Sequence, residues 1–303
     1  MLIRVLGAAA GGGFPQWNCG CPNCKGLRAG QLRALPRTQD SVAVSAGGDT
    51  WVLLNCSPEI RGQIEAAPVL HPRAPRHTPI AAVVLVNGDL DHCLGLLSLR
   101  ESQPIVLYAT ETVYRGLADH NVFFRTLRRF DGQLTFRPLI LEQTIALAGP
   151  GGENAGLEVT PFAVPGKVAL HLEGLSPPPP EDNIGLLIRD PRSHEQCAYV
   201  PAAATTEGLS ERLRDTGVVF FDGTFYHQDE LGRLGLGTRT ARDMAHAPID
   251  GPEGSLATLC APGRRIYIHI NNTNPILVDD SPERRRVEAA GWEVAWDGME
   301  INS

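Results

Sequence analysis

Three segments of this 303-residue chain set metal-ligating side chains directly after apolar runs. Asn87-Gly88-Asp89-Leu90-Asp91-His92 follows the run 80–86, Asp222 closes Val218-Val219-Phe220-Phe221, and His269 follows Ile266-Tyr267-Ile268. Each segment has an ordinary reading: a helix cap beside a surface histidine, a turn at Asp222-Gly223, a half-buried histidine at 269. Their recurrence at three strand ends is what points to one site, because active sites of α/β sheets gather where rigid strands give way to loops. The reading is an open metal site of Asp91, His92, Asp222 and His269, with Asp89 as a further ligand. Two imidazoles with one or two carboxylates and open positions is the donor set of non-haem Fe(II) sites, and it also holds a single water-activating Zn²⁺. Ligand type alone leaves oxygenase and hydrolase both open.

The seven cysteines are unevenly spread: Cys19, Cys21 and Cys24 lie within six residues, while Cys56, Cys93, Cys197 and Cys260 stand alone. A tight trio in a Pro/Gly-containing loop reads as a structural zinc clamp, with a redox role as the alternative, and lone cysteines read as small core hydrophobes. Gly11-Gly12-Gly13 lacks both dinucleotide spacing and a Walker lysine, so its glycines are expected to let the backbone pass close to the site. Arg61 and Arg239 are candidate anchors for a substrate carboxylate, each with a solvated arginine as the plain alternative.

The elements that must position these groups are legible as short apolar runs. Leu2–Gly7 opens as a strand, and residues 41–45 and 51–55 flank Gly47-Gly48-Asp49 as a hairpin. A helix follows Ser57-Pro58-Glu59. Residues 80–86 and 105–108 read as strands buried on both faces, a short helix is expected around 94–99, and Glu111 to Leu117 reads as a helix. The chain is strand-rich from 134 to 172, and further strands are expected at 186–188, 218–221, 265–269 and 293–296, with a helix at 282–290. Residues 176–182, rich in proline, read as a stiff exposed loop. Hairpins and βα units over the whole length imply an α/β sandwich.

Composition removes several classes of function. The chain is 43% apolar, ample for a core. It carries 27 Lys+Arg against 34 Asp+Glu for a net charge of −7, so its summed field repels a polyphosphate and nucleic acid is not an expected partner. No apolar run approaches the roughly 18 residues of a membrane span and the N-terminus does not read as a signal peptide, so no membrane association and a cytoplasmic location are expected.

The order of these motifs resembles the metallo-β-lactamase superfamily, especially the branch containing the tRNA 3′-processing endonucleases. The superfamily's H-x-H-x-D-H loop falls on residues 87–92, its bridging aspartate on Asp222 and its last histidine on His269. More closely, GGGFPQWNCGCPNC, RTQDSVAVS, LLNCSPEIRGQI, GLGTRTARDMAHAPI and HINNTNPIL together resemble the pyrroloquinoline quinone biosynthesis protein B family over nearly the whole chain. The resemblance implies a metallo-β-lactamase-like αββα sandwich with mixed sheets, a single domain over 1–303 with the zinc loop inserted at about 14–30. It sets His246 where the endonuclease branch has a catalytic histidine; a structural histidine on an amphipathic helix is the alternative. It sets Asn272 where related phosphodiesterases supply a fourth zinc ligand, with a distant histidine or water as alternatives. A homodimer, and a small peptide-derived substrate or pyrroloquinoline quinone (PQQ) as the bound molecule, are further implications.

Departures from the superfamily pattern shape the expected function. Asn87 and Asp89 stand where hydrolytic members place two imidazoles, and no histidine lies at Val164-Pro165-Gly166-Lys167, where a third falls; His171 reads as a loop residue. A two-zinc hydrolase is therefore disfavoured. The quinone-biosynthesis resemblance implies oxidation of a tyrosine ring in a peptide-derived precursor, and with it three readings stand: an Fe(II)-dependent hydroxylase of the tyrosine in a Glu-Tyr-like precursor, with Fe²⁺ in the active site and Zn²⁺ in the cysteine loop; a carrier for transport of PQQ or its precursor; and a mono-zinc hydrolase.

Overall fold

The protein is described from a computed structural model covering residues 1–119, 121–173 and 181–302. Of the expected proline loop, residues 176–180 lie outside these. The strands in chain order are β1 (Leu2–Gly7), β2 (Ser41–Ser45), β3 (Trp51–Leu54), β4 (Ile80–Val84), β5 (Ile105–Ala109), β6 (Leu134–Pro138), β7 (Ile145–Ala148), β8 (Asn154–Ala163), β9 (Ile184–Arg189), β10 (Gln196–Val200), β11 (Val218–Asp222), β12 (Arg264–Ile268), β13 (Trp292–Val294) and β14 (Glu300–Asn302). They form two mixed sheets, ordered β14-β1-β2-β3-β4-β5-β6 and β13-β12-β11-β10-β9-β8-β7.

Strand alternation explains the layering, because successive side chains point to opposite faces. Val42 and Val44 of β2, with Ala82 and Val84 of β4, pack between the sheets, where they meet Leu186, Tyr199, Phe220 and Ile266. The intervening Ala43 and Val83 face an outer layer with Ile60, Leu96, Val113 and Leu117 from the helical segments. On the second sheet Val219 and Phe221 face outward against Leu213, Val287 and the cysteines of the loop after β1. Both sheets are thus covered on both faces, which is the expected αββα sandwich and explains the unbroken apolar run at 80–86.

The hairpin β2-β3 and the helix Glu111–Ala118 stand where the sequence set them. The strand-rich region ends at Ala163, earlier than expected, and closes with a 3₁₀ turn at Leu170–Leu172. Two strands had no clear signal: β10, whose Gln196 start obscures a short apolar run, and the three-residue β14. No helix among the described residues is long and apolar enough to cross a membrane.

Two features bring the functional strand ends together. β11 and β12 are parallel neighbours with Asp222 opposite Ile268, so Asp222 and His269 emerge side by side. At that same edge the sheets are stitched to each other: Ala10 N–H donates to Ile270 O at 3.0 Å, Ile270 N–H to Ala8 O at 2.9 Å, and Ile184 N–H to Val86 O at 3.0 Å. The site therefore lies at the seam between the two sheets.

Candidate metal centre

Asp91 and His92 lie on a single helical turn, Leu90–Cys93, which residues 85–89 join to β4. That turn sets both side chains toward His269, and ligand atoms of Asp91, His92 and His269 lie within 4.8 Å of one another. Asp91 Oδ2 is 3.1 Å from His269 Nε2, and the rings of His92 and His269 meet edge to face at 5.1 Å. His269 has a left-handed backbone (φ 57°), a conformation costly for a residue with a Cβ and held here by the hydrogen bonds of its neighbours. Gly11 passes close by, as expected: a Cβ there would meet Asp91 Oδ2 at 3.3 Å.

A chain of carboxamides fixes the tautomer of His92. Asn183 Nδ2 donates to the carbonyls of Val164 and Ala202 at 3.3 and 2.9 Å, which turns its Oδ1 toward Asn87 Nδ2 at 3.1 Å. Asn87 Oδ1 then accepts from His92 Nδ1–H at 2.7 Å and from Asp89 N–H at 3.1 Å. His92 Nε2 is left as a bare lone pair, buried and without a hydrogen-bond partner. An orphaned imidazole lone pair beside a carboxylate and a second imidazole is a donor set that fits a divalent transition metal.

Asp222 joins His246 and His269 in a second, overlapping cluster. It was expected as a metal ligand, but its oxygens are engaged by protein donors. Oδ1 accepts from Thr224 N–H at 3.0 Å and Thr224 Oγ1–H at 2.7 Å; Oδ2 accepts from Ala203 N–H at 2.9 Å and His246 Nδ1–H at 2.7 Å. With its hydroxyl proton given to Asp222, Thr224 Oγ1 accepts from His269 Nδ1–H at 2.8 Å. Asp222 thereby orients both histidines and leaves His269 Nε2 facing Asp91. His246 follows a short 3₁₀ turn, Arg242–Met244, not the amphipathic helix of the alternative reading, and its ring lines the cavity above the centre.

The electrostatics follow from burial and pairing. Burial opposes ionisation of Asp91, but the charges of His92 and His269 outweigh it and hold its carboxyl well below the usual range. Burial also works against a charged His269, yet the hydrogen bond and charge of Asp91 lift it to about 9. His92 is pushed down to about 4, chiefly by burial. Burial, then repulsion from Asp91, raises Asp89. A group the sequence did not reveal, Asp40, is driven by burial up to about 7.

A cavity of ≈ 260 Å³ opens over the centre, with Asp91, His246 and His269 in its wall. Asp89 also stands in this wall rather than among the clustered ligand atoms. Arg61 and Arg239, the expected carboxylate anchors, are exposed residues outside the cavity. Its basic wall consists instead of Lys167 and His171, the latter on the Leu170–Leu172 turn. Neither had a periodic signal, since both sit in irregular backbone.

After β1, Cys21 caps the short helix Pro22–Arg28 that carries Cys24, and Sγ atoms of Cys19, Cys21 and Cys24 lie within 4.8 Å of one another, as tetrahedral thiolate coordination requires. Asn272 caps the trio, its Nδ2 at 3.1, 3.5 and 3.3 Å from the three sulfurs in that order. Rotating the carboxamide would present oxygen instead of nitrogen from the same place. Of the alternatives for the fourth position, Asn272 is the side chain that lies over the three sulfurs.

A Beta-lactamase superfamily domain profile matches residues 50–270. The chain is 47% identical over 308 residues to the Coenzyme PQQ synthesis protein B of Methylobacterium sp. (strain 4-46), covering 99% of each, and 44% identical over 306 residues to that of Azotobacter vinelandii, covering 100% of each. Among solved structures, Zn²⁺-bound PqqB from Methylobacterium extorquens superposes with a TM-score of 0.92 at 44% identity over 100% of both chains. A diphosphatase of the PhnP family superposes with a TM-score of 0.67 at 21% identity over 100% of this chain and 97% of that one, a likeness of fold.

Proposed function

The chain belongs to the coenzyme PQQ synthesis protein B family of the β-lactamase superfamily, and from that premise we propose that it acts in PQQ biosynthesis as an iron(II)-dependent hydroxylase. Its substrate in this reading is the tyrosine ring of a small peptide-derived, Glu-Tyr-like precursor. Family membership supports the place in PQQ biosynthesis, and the fold supports a metal-dependent enzyme. The observation that carries the finer reading is the donor set: two imidazoles and a carboxylate clustered beside a cavity that Asp91 and His269 line, with Asn87 and Asp89 in place of the imidazoles of a second metal.

Iron(II), when bound there, supplies a place for dioxygen to bind and be reduced. Asp91, His92 and His269 would hold the ion, and Asn87, Thr224 and Asp222 fix the two imidazoles in the required tautomer. Lys167 and His171 meet substrate carboxylates, while Leu90, Phe225 and Met244 give the ring an apolar wall. His246, its Nδ1–H committed to Asp222, offers its other ring nitrogen to a proton in the cavity. Positioning the ring beside the ion supplies much of the rate. Each hydroxylation consumes one dioxygen, two protons and two electrons from an external reductant, giving one ring oxygen and one water.

The test is anaerobic loading with Fe²⁺, then air, ascorbate and a Glu-Tyr dipeptide, read by mass spectrometry. A gain of oxygen that is lost in His92→Ala supports the hydroxylase. No gain from iron-loaded protein, or an equal gain from His92→Ala, removes it. Tight PQQ or precursor binding without turnover favours the carrier reading, and turnover of a phosphodiester with Zn²⁺ alone favours the hydrolase.

A further inference from the structure

Six ionisable side chains line the cavity over the metal centre: Asp89, Asp91, Lys167, His171, His246 and His269. Three of them are committed within the protein. Asp91 Oδ2 faces His269 Nε2 at 3.1 Å, and His246 Nδ1 faces Asp222 Oδ2 at 2.7 Å. One acid and two basic groups, Asp89, Lys167 and His171, are left to meet whatever enters.

Asp89 stands at the N-cap of the turn Leu90–Cys93, a position where an aspartate ordinarily folds back to accept from the first helical N–H groups. Its side chain makes no such bond. The main chain alone is fixed: Asp89 N–H donates to Asn87 Oδ1 at 3.1 Å, and Asp89 O accepts from His92 N–H at 2.9 Å. Among the described residues the half-buried carboxylate accepts no hydrogen bond and has no cation within 4.0 Å. Lys167, half-buried in the same cavity wall, has no carboxylate within that distance either, yet its charge is felt at Asp89. An acid and a base on one cavity, too far apart to pair and close enough to sense each other, are complementary to a molecule that carries both charges.

We propose that Asp89 is a specificity-determining residue that receives the free α-ammonium group of the substrate, while Lys167 takes a carboxylate of the same molecule. The inference rests on the Glu-Tyr-like substrate reading and adds a requirement to it: the precursor must enter with an unblocked amino group. A carboxylate without a protein partner gains most from a charged donor, since charge-assisted hydrogen bonds are the strong ones. An acylated nitrogen offers a neutral N–H at best and leaves Asp89 without a counter-charge, so the same residue that favours the free amine disfavours the blocked one. Asp91 and Asp89, two residues apart, thus divide the work: one holds the ion, the other the substrate.

The test is calorimetric binding of a Glu-Tyr dipeptide and of its N-acetyl derivative to full-length protein loaded with Zn²⁺, which has no redox chemistry, so that binding is read apart from oxidation. Wild type is expected to prefer the free dipeptide about tenfold. Asp89→Asn is expected to bind the free dipeptide about tenfold more weakly, to bind the N-acetyl derivative as wild type does, and to keep its full zinc content. Equal affinity of wild type for the two ligands overturns the proposal. So does a preference that survives in Asp89→Asn, which would be a steric effect of the acetyl group. Loss of the active-centre zinc in Asp89→Asn overturns it too, by making Asp89 a metal ligand. Binding of neither ligand to wild type overturns the Glu-Tyr reading itself, and the role of Asp89 with it. Should Asp89→Asn fail to fold, Asp89→Ser, a residue suited to the N-cap position, replaces it in each comparison.

Discussion

Asn87 Oδ1 accepts a 2.7 Å hydrogen bond from Nδ1 of His92, five residues further along the same strand-to-helix turn. In the sequence Asn87 reads only as a lost imidazole. In the structure it orients one that is kept. Its carboxamide is itself oriented by Asn183 at 3.1 Å, whose amide group is anchored on two backbone carbonyls that can only accept.

Asn87→Ala should therefore act on the metal rather than on the fold. The ring of His92 would lose its tautomer lock, and metal affinity at the Asp91-His92-His269 centre should fall about 10- to 100-fold. The loss of stability should be modest, about 1–3 kcal/mol, because the change strips partners from the buried His92 and Asn183. Calorimetric metal titration checks this, and unchanged affinity in a folded Asn87→Ala protein would remove the orienting role.

The basic wall of the cavity leads to a second expectation. Lys167 and His171 face the space above the centre, whereas Arg61 and Arg239 do not line it. Lys167→Ala should raise the dissociation constant of a Glu-Tyr dipeptide about tenfold, the loss of one charge-assisted contact of about 1.5 kcal/mol. Arg61→Ala and Arg239→Ala should leave it unchanged. Equilibrium binding to protein without active-site metal separates this from chemistry, and wild-type affinity in Lys167→Ala would contradict it.

Which residues were legible follows from how each is built. Asp222 and His269 each end an apolar run, Asp91 and His92 lie a few residues past one, and buried strands announce both themselves and their tips. Asp40 also adjoins an apolar run, Ser41–Ser45, but precedes it, where an aspartate reads as ordinary turn chemistry; its hydrogen-bond partner, Tyr199, lies 159 residues away. Lys167 and His171 sit in irregular backbone whose path no periodicity predicts. Arginine chemistry alone proposed Arg61 and Arg239, and guanidinium chemistry carries no direction. The two-face burial of β4 made the sandwich readable, while β14 at three residues is too short to carry a pattern.

The segment from His269 to Asn274 belongs to both metal-capable clusters. His269 enters the active centre, Asn272 caps the three thiols, and Asn274 Nδ2 donates to Gly223 O at 2.8 Å beside Asp222. Cys21→Ser should lose about one zinc per chain and lower the melting temperature. It should also weaken metal binding at His269 severalfold, since the strap that sets the left-handed backbone of that residue would lose its anchor. Metal analysis with a Co²⁺ titration reads both effects. Full zinc content would remove the clamp, and wild-type Co²⁺ affinity after zinc loss would show that the two sites are independent.

Glu230 should give stability a pH dependence of recognisable sign. Its side chain is buried beside the strap, accepting from Tyr226 N–H at 2.7 Å, His227 N–H at 3.3 Å and Thr273 Oγ1–H at 2.5 Å. These bonds favour the carboxylate, but burial outweighs them and pushes the group up to about 7 from an ordinary 4.5. The folded state therefore binds the proton more tightly than the unfolded chain. Its contribution is fully present below about pH 4.5 and is lost as pH rises through about 7. A rise of that size corresponds to on the order of 3 kcal/mol. Glu230→Gln keeps a neutral hydrogen-bonding group and removes the titration. Urea midpoints measured from pH 5 to 8 should thus fall more steeply for wild type than for Glu230→Gln, and parallel profiles would show that Glu230 is ionised throughout.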